Sequence, residues 1–218
     1  GREPSPDARH TLPDPDEFTS MLRSIELSVL KIEGLGCGGI VDGSGFVFAP
    51  ELVVTNAHVV AGVDSPKVRA GTNAFNTTVV LFDPANDIAV LRVPGLNRPA
   101  LTINRMNPAT GSAAFALGYP GGGEYQVSPA VVLDRFEALG KDIYGKSRTT
   151  REVYSLQTTI VRGNSGGPVV ASDGTVLGVV FATSTTYNNI GYALTMEQVQ
   201  ELLRGAQDKQ AAVNTGKC

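Results

Sequence analysis

The sequence predicts a β-rich fold of many short strands, with one short helix near each end. Short apolar runs recur at close spacing, and 25 glycines and 13 prolines punctuate the 218 residues. Such a pattern reads as barrels or a sandwich rather than as alternating strands and long helices. With 42% apolar residues, a chain of this length can bury one sizeable core or two small packed barrels.

Residues 1–13 form a disordered-looking leader, rich in proline and charge, that is expected to be mobile and open to cleavage, including self-cleavage. Asp14-Pro15-Asp16-Glu17 then reads as a helix start, with an Asp cap, Pro in the first turn and acids behind it, and the helix is expected to end near Arg23. Strands follow at about 25–33, 39–48, 51–55, 66–70, 76–83 and 88–93. A turn-rich link at Asn104-Arg105-Met106-Asn107-Pro108 precedes a second set at about 113–118, 125–133, 151–158, 168–171, 175–182 and 190–194. Thr195-Met196-Glu197-Gln198 resembles a capping box, Met196, Val199, Leu202 and Leu203 share one helical face, and Gly205 is the expected stop. The division is thus 1–23, 24–108, 109–194 and 195–218, without internal repeats.

The chemistry rests on two segments. Only two histidines occur, and His58 lies in Val54-Thr55-Asn56-Ala57-His58-Val59-Val60, whereas His10 lies in the leader. Far downstream comes Gly163-Asn164-Ser165-Gly166-Gly167-Pro168. A serine hydroxyl needs a neighbouring base to become a nucleophile, and glycines suit a tight turn that points backbone N–H groups at a developing oxyanion. Order along the chain narrows the choice. No histidine follows Ser165, which excludes the Ser, acid, His order of α/β-hydrolases despite the G-x-S-x-G match. The acid, His, Ser order needs an acid before His58, with Asp42 nearest, and long helices that are absent. What remains is His, Asp, Ser. Asp87 opens the apolar run Ile88-Ala89-Val90-Leu91, where an acid is held rigidly; Asp83 and Asp64 are rivals in turn-like sequence.

At these positions the chain resembles the trypsin/chymotrypsin clan, and within it the HtrA/Deg-like bacterial serine proteases. The matching segments are Gly43-Ser44-Gly45-Phe46, Thr55-Asn56-Ala57-His58-Val59, Asp87-Ile88-Ala89-Val90, Gly118-Tyr119-Pro120-Gly121, the Ser165 segment and Gly191-Tyr192-Ala193-Leu194. The cysteine pair and tail look most like the membrane-anchored periplasmic serine proteases of actinobacteria. The resemblance covers roughly residues 24–203. It implies an all-β, chymotrypsin-like fold of two six-stranded antiparallel β-barrels, with His58 and Asp87 from the first and Ser165 from the second. It implies peptide-bond cleavage through an acyl-enzyme, with backbone groups of Gly163, Asn164 and Ser165 as oxyanion hole. The substrate pocket falls on Thr159, Ile160, Val161 and Arg162, on Phe181, Ala182 and Thr183, and on Gly191, Tyr192 and Ala193. Thr159 stands where trypsin-like enzymes carry the Asp that selects basic residues, so an uncharged pocket narrowed by Phe181 is expected to take small or medium apolar side chains. Two departures matter. The chain ends soon after its last helix, where HtrA proteins usually carry a PDZ domain. Asn164 replaces the Asp that pairs with a new N-terminus in digestive enzymes, so activation by N-terminal insertion is not expected.

Cys37 lies near the start and Cys218 is the last residue, with no C-x-x-C pattern. The expectation is a disulfide, against two unrelated thiols; a bridge over so long a loop is worth about 5 kcal/mol on chain entropy and points to an oxidising compartment. The net charge of −3 gives no reason to expect nucleic acid or an anionic membrane as partner. No run reaches transmembrane length and the first residue is Gly, so any anchor is expected upstream, outside this chain. The expected partner is a polypeptide substrate, with no metal and no organic cofactor. The alternative is a catalytically silent protease-fold binding or chaperone-like module.

Overall fold

The computed structural model describes residues 9–158 and 164–218. Asp14 Oδ1 accepts the Asp16 N–H at 3.0 Å and caps a 3₁₀ turn, Pro15–Phe18, which runs into α1, Thr19–Glu26. The helix continues past Arg23 because Leu22 and Ile25 both turn into the core, so the strand expected from residue 25 begins only at Val29. Ahead of the helix the leader is partly docked rather than loose. Gln157 accepts the His10 N–H at 2.9 Å and donates to the His10 carbonyl at 2.8 Å. Residues 1–8 of the expected mobile leader lie outside the described residues.

Seven strands make the first sheet: β1, Val29–Gly36; β2, Gly39–Ala49; β3, Leu52–Thr55; β4, Lys67–Ala70; β5, Asn73–Asn76; β6, Thr78–Asp83; and β7, Ile88–Arg92. Their order is β5-β4-β1-β2-β3-β7-β6. Six strands were expected here. The additional strand is β5, most of which precedes the run expected at 76–83; that run starts only at Thr78, since Thr77 turns out of the ladder and donates its hydroxyl to Pro66 O at 2.7 Å. The second sheet is a closed barrel of six strands in the order β10-β13-β12-β11-β8-β9. These are β8, Ala113–Gly118; β9, Gln126–Lys141; β10, Arg148–Gln157; β11, Pro168–Ala171; β12, Val176–Thr183; and β13, Ile190–Thr195. The β9–β10 hairpin is far longer than its apolar run. It pairs from Val131 and Gln157 out to Lys141 and Arg148, with largely polar side chains on the distal part.

Burial follows the strand period. One apolar cluster, including Leu30, Ile32, Val47, Val53 and Leu91, fills the first sheet. Another, including Ala116, Val132, Leu156, Val169 and Val180, fills the barrel. A third lies in the seam between them, where Phe46, Val54 and Ile88 meet Phe115, Leu117 and Val153. Phe115 is fully buried there and its ring lies 5.1 Å from that of Phe18; truncating such a side chain costs about 3–5 kcal/mol.

The last helix, α3, spans Met196–Ala206 and buries Met196, Val199 and Leu203. Thr195 Oγ1 accepts the Gln198 N–H at 3.1 Å, but the Gln198 side chain turns elsewhere, so only half of the expected capping box forms. Gly205 sits inside the final turn, because the buried Ala206 extends the helix by one residue. The tail then crosses the first sheet. Arg92 donates to Gln207 O and Lys209 O at 2.8 Å each, Val213 N–H reaches Val79 O at 2.9 Å, and Gly62 N–H reaches Thr215 O at 3.2 Å. A disulfide joins Cys37, in the β1–β2 turn, to Cys218 with Cα atoms 5.5 Å apart.

Candidate active site

Antiparallel pairing of β3 with β7 sets Thr55 opposite Ala89. The chain just past β3 therefore lies beside the residues just before β7. A single helical turn, α2, Ala57–Val60, follows β3 and carries His58. Its shortness explains why no periodicity announces it. Asp87 is 5% exposed and receives two hydrogen bonds from His58: the backbone N–H reaches Oδ1 at 2.9 Å and the ring Nδ1 reaches Oδ2 at 2.7 Å. Asn56 Nδ2 fixes the other side of the residue, donating to the Asp87 carbonyl at 2.9 Å. A carboxylate only accepts, so Nδ1 carries the proton and the lone pair falls on Nε2. Asp87 adopts φ +55°, a left-handed conformation that a non-glycine residue holds only where its surroundings demand it.

The rival acid is committed elsewhere. Asp83 Oδ1 accepts the N–H groups of Ala85 and Asn86 at 3.0 Å each, and its Oδ2 accepts Asn86 Nδ2 at 2.8 Å. Asp83 therefore shapes the turn that delivers Asp87.

Ser165 is held through its backbone by both halves of the molecule. Ser44 N–H on β2 donates to Ser165 O at 3.0 Å, and Gly166 N–H donates to Val180 O on β12 at 2.8 Å. Thr55 Oγ1 donates to Ser44 O at 2.8 Å, linking this anchor to the strand that leads into His58. Gly166 has φ +90°, and a Cβ there would lie 2.1 Å from Ser44 O. A Cβ on Gly167 would lie 2.0 Å from Leu117 O. Both glycines are thus required by close backbone approach. Asn164 is buried, and its Oδ1 has no hydrogen-bond partner among the described residues. Thr159, Ile160, Val161, Arg162 and Gly163 lie outside the described residues.

Phe181, Ala182, Thr183 and Tyr192 line a half-open recess of about 600 Å³ together with Phe136 and Arg151. Phe181 sits at the register shift between Val180 and Ala182. Gly191 pairs with Thr183 behind the recess, and Ala193 points into the barrel core. Arg151 is the feature that sequence reasoning missed. Its side chain is buried with the guanidinium 5.8 Å from the Phe181 ring centre. Burial pushes its pKa down, and Asp87, Asp142 and Asp83 oppose that shift. The signal was the period of β10: Arg151 shares a face with Val153 and Ser155, both buried.

A trypsin-like peptidase domain matches residues 43–179. Over 210 residues the chain is 40% identical to serine protease Rv3671c of Mycobacterium tuberculosis, covering 94% of this chain and 53% of that protein. It is 33% identical over 176 residues to the mitochondrial serine protease HTRA2 of Bos taurus, covering 79% of this chain and 38% of that protein. The chain therefore spans about half the length of the first of these relatives and less of the second. Among solved structures, the active form of the Rv3671c protease from M. tuberculosis superposes with a TM-score of 0.94 at 37% identity, covering 100% of this chain and 97% of that one. Its inactive form gives 0.82 at 38% identity, covering 91% and 99%.

Proposed function

Because the chain belongs to the trypsin-like peptidase family, on its HtrA-like branch, we propose that it is a serine endopeptidase with His58, Asp87 and Ser165 as catalytic triad. The observation that carries this reading is the two-point grip of Asp87 on His58, which orients one imidazole nitrogen and leaves the other as base. A scaffold needs no such geometry. His58 takes the Ser165 proton as the hydroxyl attacks a peptide carbonyl, and the imidazolium that forms is stabilised by Asp87. Backbone N–H groups of Gly163, Asn164 and Ser165 receive the oxyanion, each donor lowering the barrier by about 3–4 kcal/mol. His58 then protonates the leaving amine, and water resolves the acyl-enzyme.

The pocket for the residue before the cut is formed by Thr159, Ile160, Val161, Arg162, Phe181, Ala182, Thr183, Gly191 and Tyr192. Arg151, which lines one recess with Phe181, Ala182, Thr183 and Tyr192, makes basic side chains poor occupants. An extracytoplasmic site of action is supported by the disulfide and by relatives named as periplasmic serine endoproteases; a tether upstream of this chain is part of the same proposal. Among the described residues no helix is long and apolar enough to cross a membrane.

The test is peptide-library cleavage by the wild-type chain and by Ser165→Ala, with fluorophosphonate labelling of both. Cleavage and labelling lost together in the variant support the reading. A wild-type chain that neither labels nor cleaves is a binding module, and equal turnover by both proteins moves the chemistry elsewhere.

A further inference from the structure

The three residues before Asp87 are each held from the other half of the molecule. Pro84 O accepts the Ile143 N–H at 3.1 Å, from the tip of the β9–β10 hairpin. Ala85 O accepts Arg151 Nε at 3.0 Å, from β10. Asn86 Oδ1 accepts Gln198 Nε2 at 2.7 Å, from α3. The donors are fixed in turn: Arg151 Nη2 also reaches Lys141 O at 2.9 Å, and Gln198 Oε1 accepts the Glu152 N–H at 3.2 Å. Asp83 satisfies the inward N–H groups of the same turn, so its outward oxygens are left to the second barrel and α3.

We infer that Arg151 and Gln198 are positioning residues that hold Asp87 in register with His58. The inference rests on Asp87 being the triad acid. The physical need is specific. Asp87 sits at φ +55°, outside the broad minima of a non-glycine residue, and relaxes unless its neighbours are pinned. Intra-turn bonds from Asp83 pin only one side. Without the three cross-bonds, the turn is free to rotate Asp87 away from the ring and to loosen the Oδ2···Nδ1 bond of 2.7 Å. Catalysis depends steeply on such small displacements, because the base must keep both its tautomer and its direction. The geometry also makes α3 and the hairpin tip the parts of the fold through which a force on the second barrel reaches the acid.

The test uses Gln198→Leu and Arg151→Lys in the full chain. The lysine keeps the charge beside Asp87 but cannot bridge the Ala85 and Lys141 carbonyls as the guanidinium does. With a short peptide substrate, kcat is expected to fall roughly fivefold to tenfold in each variant, and further in the double variant. KM stays within about twofold for Gln198→Leu, which does not touch the cleft recess. The downfield proton resonance of the His58 Nδ1–H is expected to shift upfield or broaden. If Gln198→Leu does not fold, Gln198→Met, of nearly equal length, replaces it.

An unchanged proton resonance overturns the inference even where kcat falls, since mere loosening of the packing gives that result. Wild-type kcat in both variants overturns it as well. A wild-type chain that cleaves nothing sinks the endopeptidase reading instead, and the His58 resonance still decides whether the clamp exists.

Discussion

Gly166→Ala is the sharpest test of how the nucleophile is held. The substitution adds one carbon at a residue with φ +90°, where an L side chain is strained by about 1–3 kcal/mol regardless of space. Space is also lacking. The new Cβ would lie 2.1 Å from Ser44 O and 2.4 Å from Thr55 Oγ1, whereas ordinary contact begins near 3.4 Å. Neither atom can yield alone, because Thr55 Oγ1 donates to that same Ser44 oxygen and Ser44 N–H holds the Ser165 carbonyl. Relief therefore moves the Ser165 backbone by about 1 Å, which corresponds to roughly a hundredfold loss in turnover. Stability is expected to fall by about 3 kcal/mol or more, the strain being compounded by overpacking. Urea unfolding followed by far-UV circular dichroism reads the first quantity, and single-turnover acylation reads the second. A variant with an unchanged unfolding midpoint and turnover within threefold of wild type would falsify the claim that this glycine turn fixes Ser165.

Three further outcomes are expected. Asp87→Asn leaves the fold intact but presents the wrong imidazole tautomer, cutting kcat by about 10⁴; peptide hydrolysis at pH 7 measures it, and a mild loss would reassign the acid. Cys218→Ser, or reductant acting on the wild type, lowers stability by at most about 5 kcal/mol and reduces turnover in part, since the tail packs on the sheet that carries His58 and Asp87; thermal melts and rates well below the melting temperature separate the two effects. Backbone N–H groups of Lys146 and Tyr144 hold the Asp142 carboxyl below the usual carboxylate range. A lowered acid adds stability that is present above about pH 4 and lost as pH falls through its folded value, so the protection factors of the hairpin-tip amides, corrected for their intrinsic exchange, fall in acid, and Asp142→Asn abolishes that pH dependence.

Much of this architecture is legible in the chain because it is locally encoded. Short apolar runs bounded by Gly, Pro and Asn place most strands within a few residues, and Asp14 and Thr195 announce the two helix starts. The contact of Asp87 with His58 is anticipated because Asp87 opens a buried strand. The errors have physical causes. Thr77 separates β5 from β6 through a hydroxyl bond to Pro66, a contact that no local pattern shows. The outer β9–β10 hairpin scatters Phe136, Ala138 and Leu139 among charged and polar residues, too few apolar positions to extend the strand signal. Gly205 looks like a stop but is overridden by burial of Ala206. Arg151 and Gln198 escape entirely, because their partners lie 66 and 112 residues away and only the assembled seam gives them a task.

The Cys37–Cys218 bond has a topological consequence. It joins residues 181 positions apart, and His58, Asp87 and Ser165 all fall inside the closed ring. A single backbone cut anywhere in that ring therefore opens a circle rather than releasing a piece. Both new ends stay on one covalent molecule, and each active-site residue keeps its tether to the others. On the endopeptidase reading proposed above, a first nick by the chain on itself leaves the molecule in one covalent piece. It is visible as one band on a gel without reductant and two bands with it.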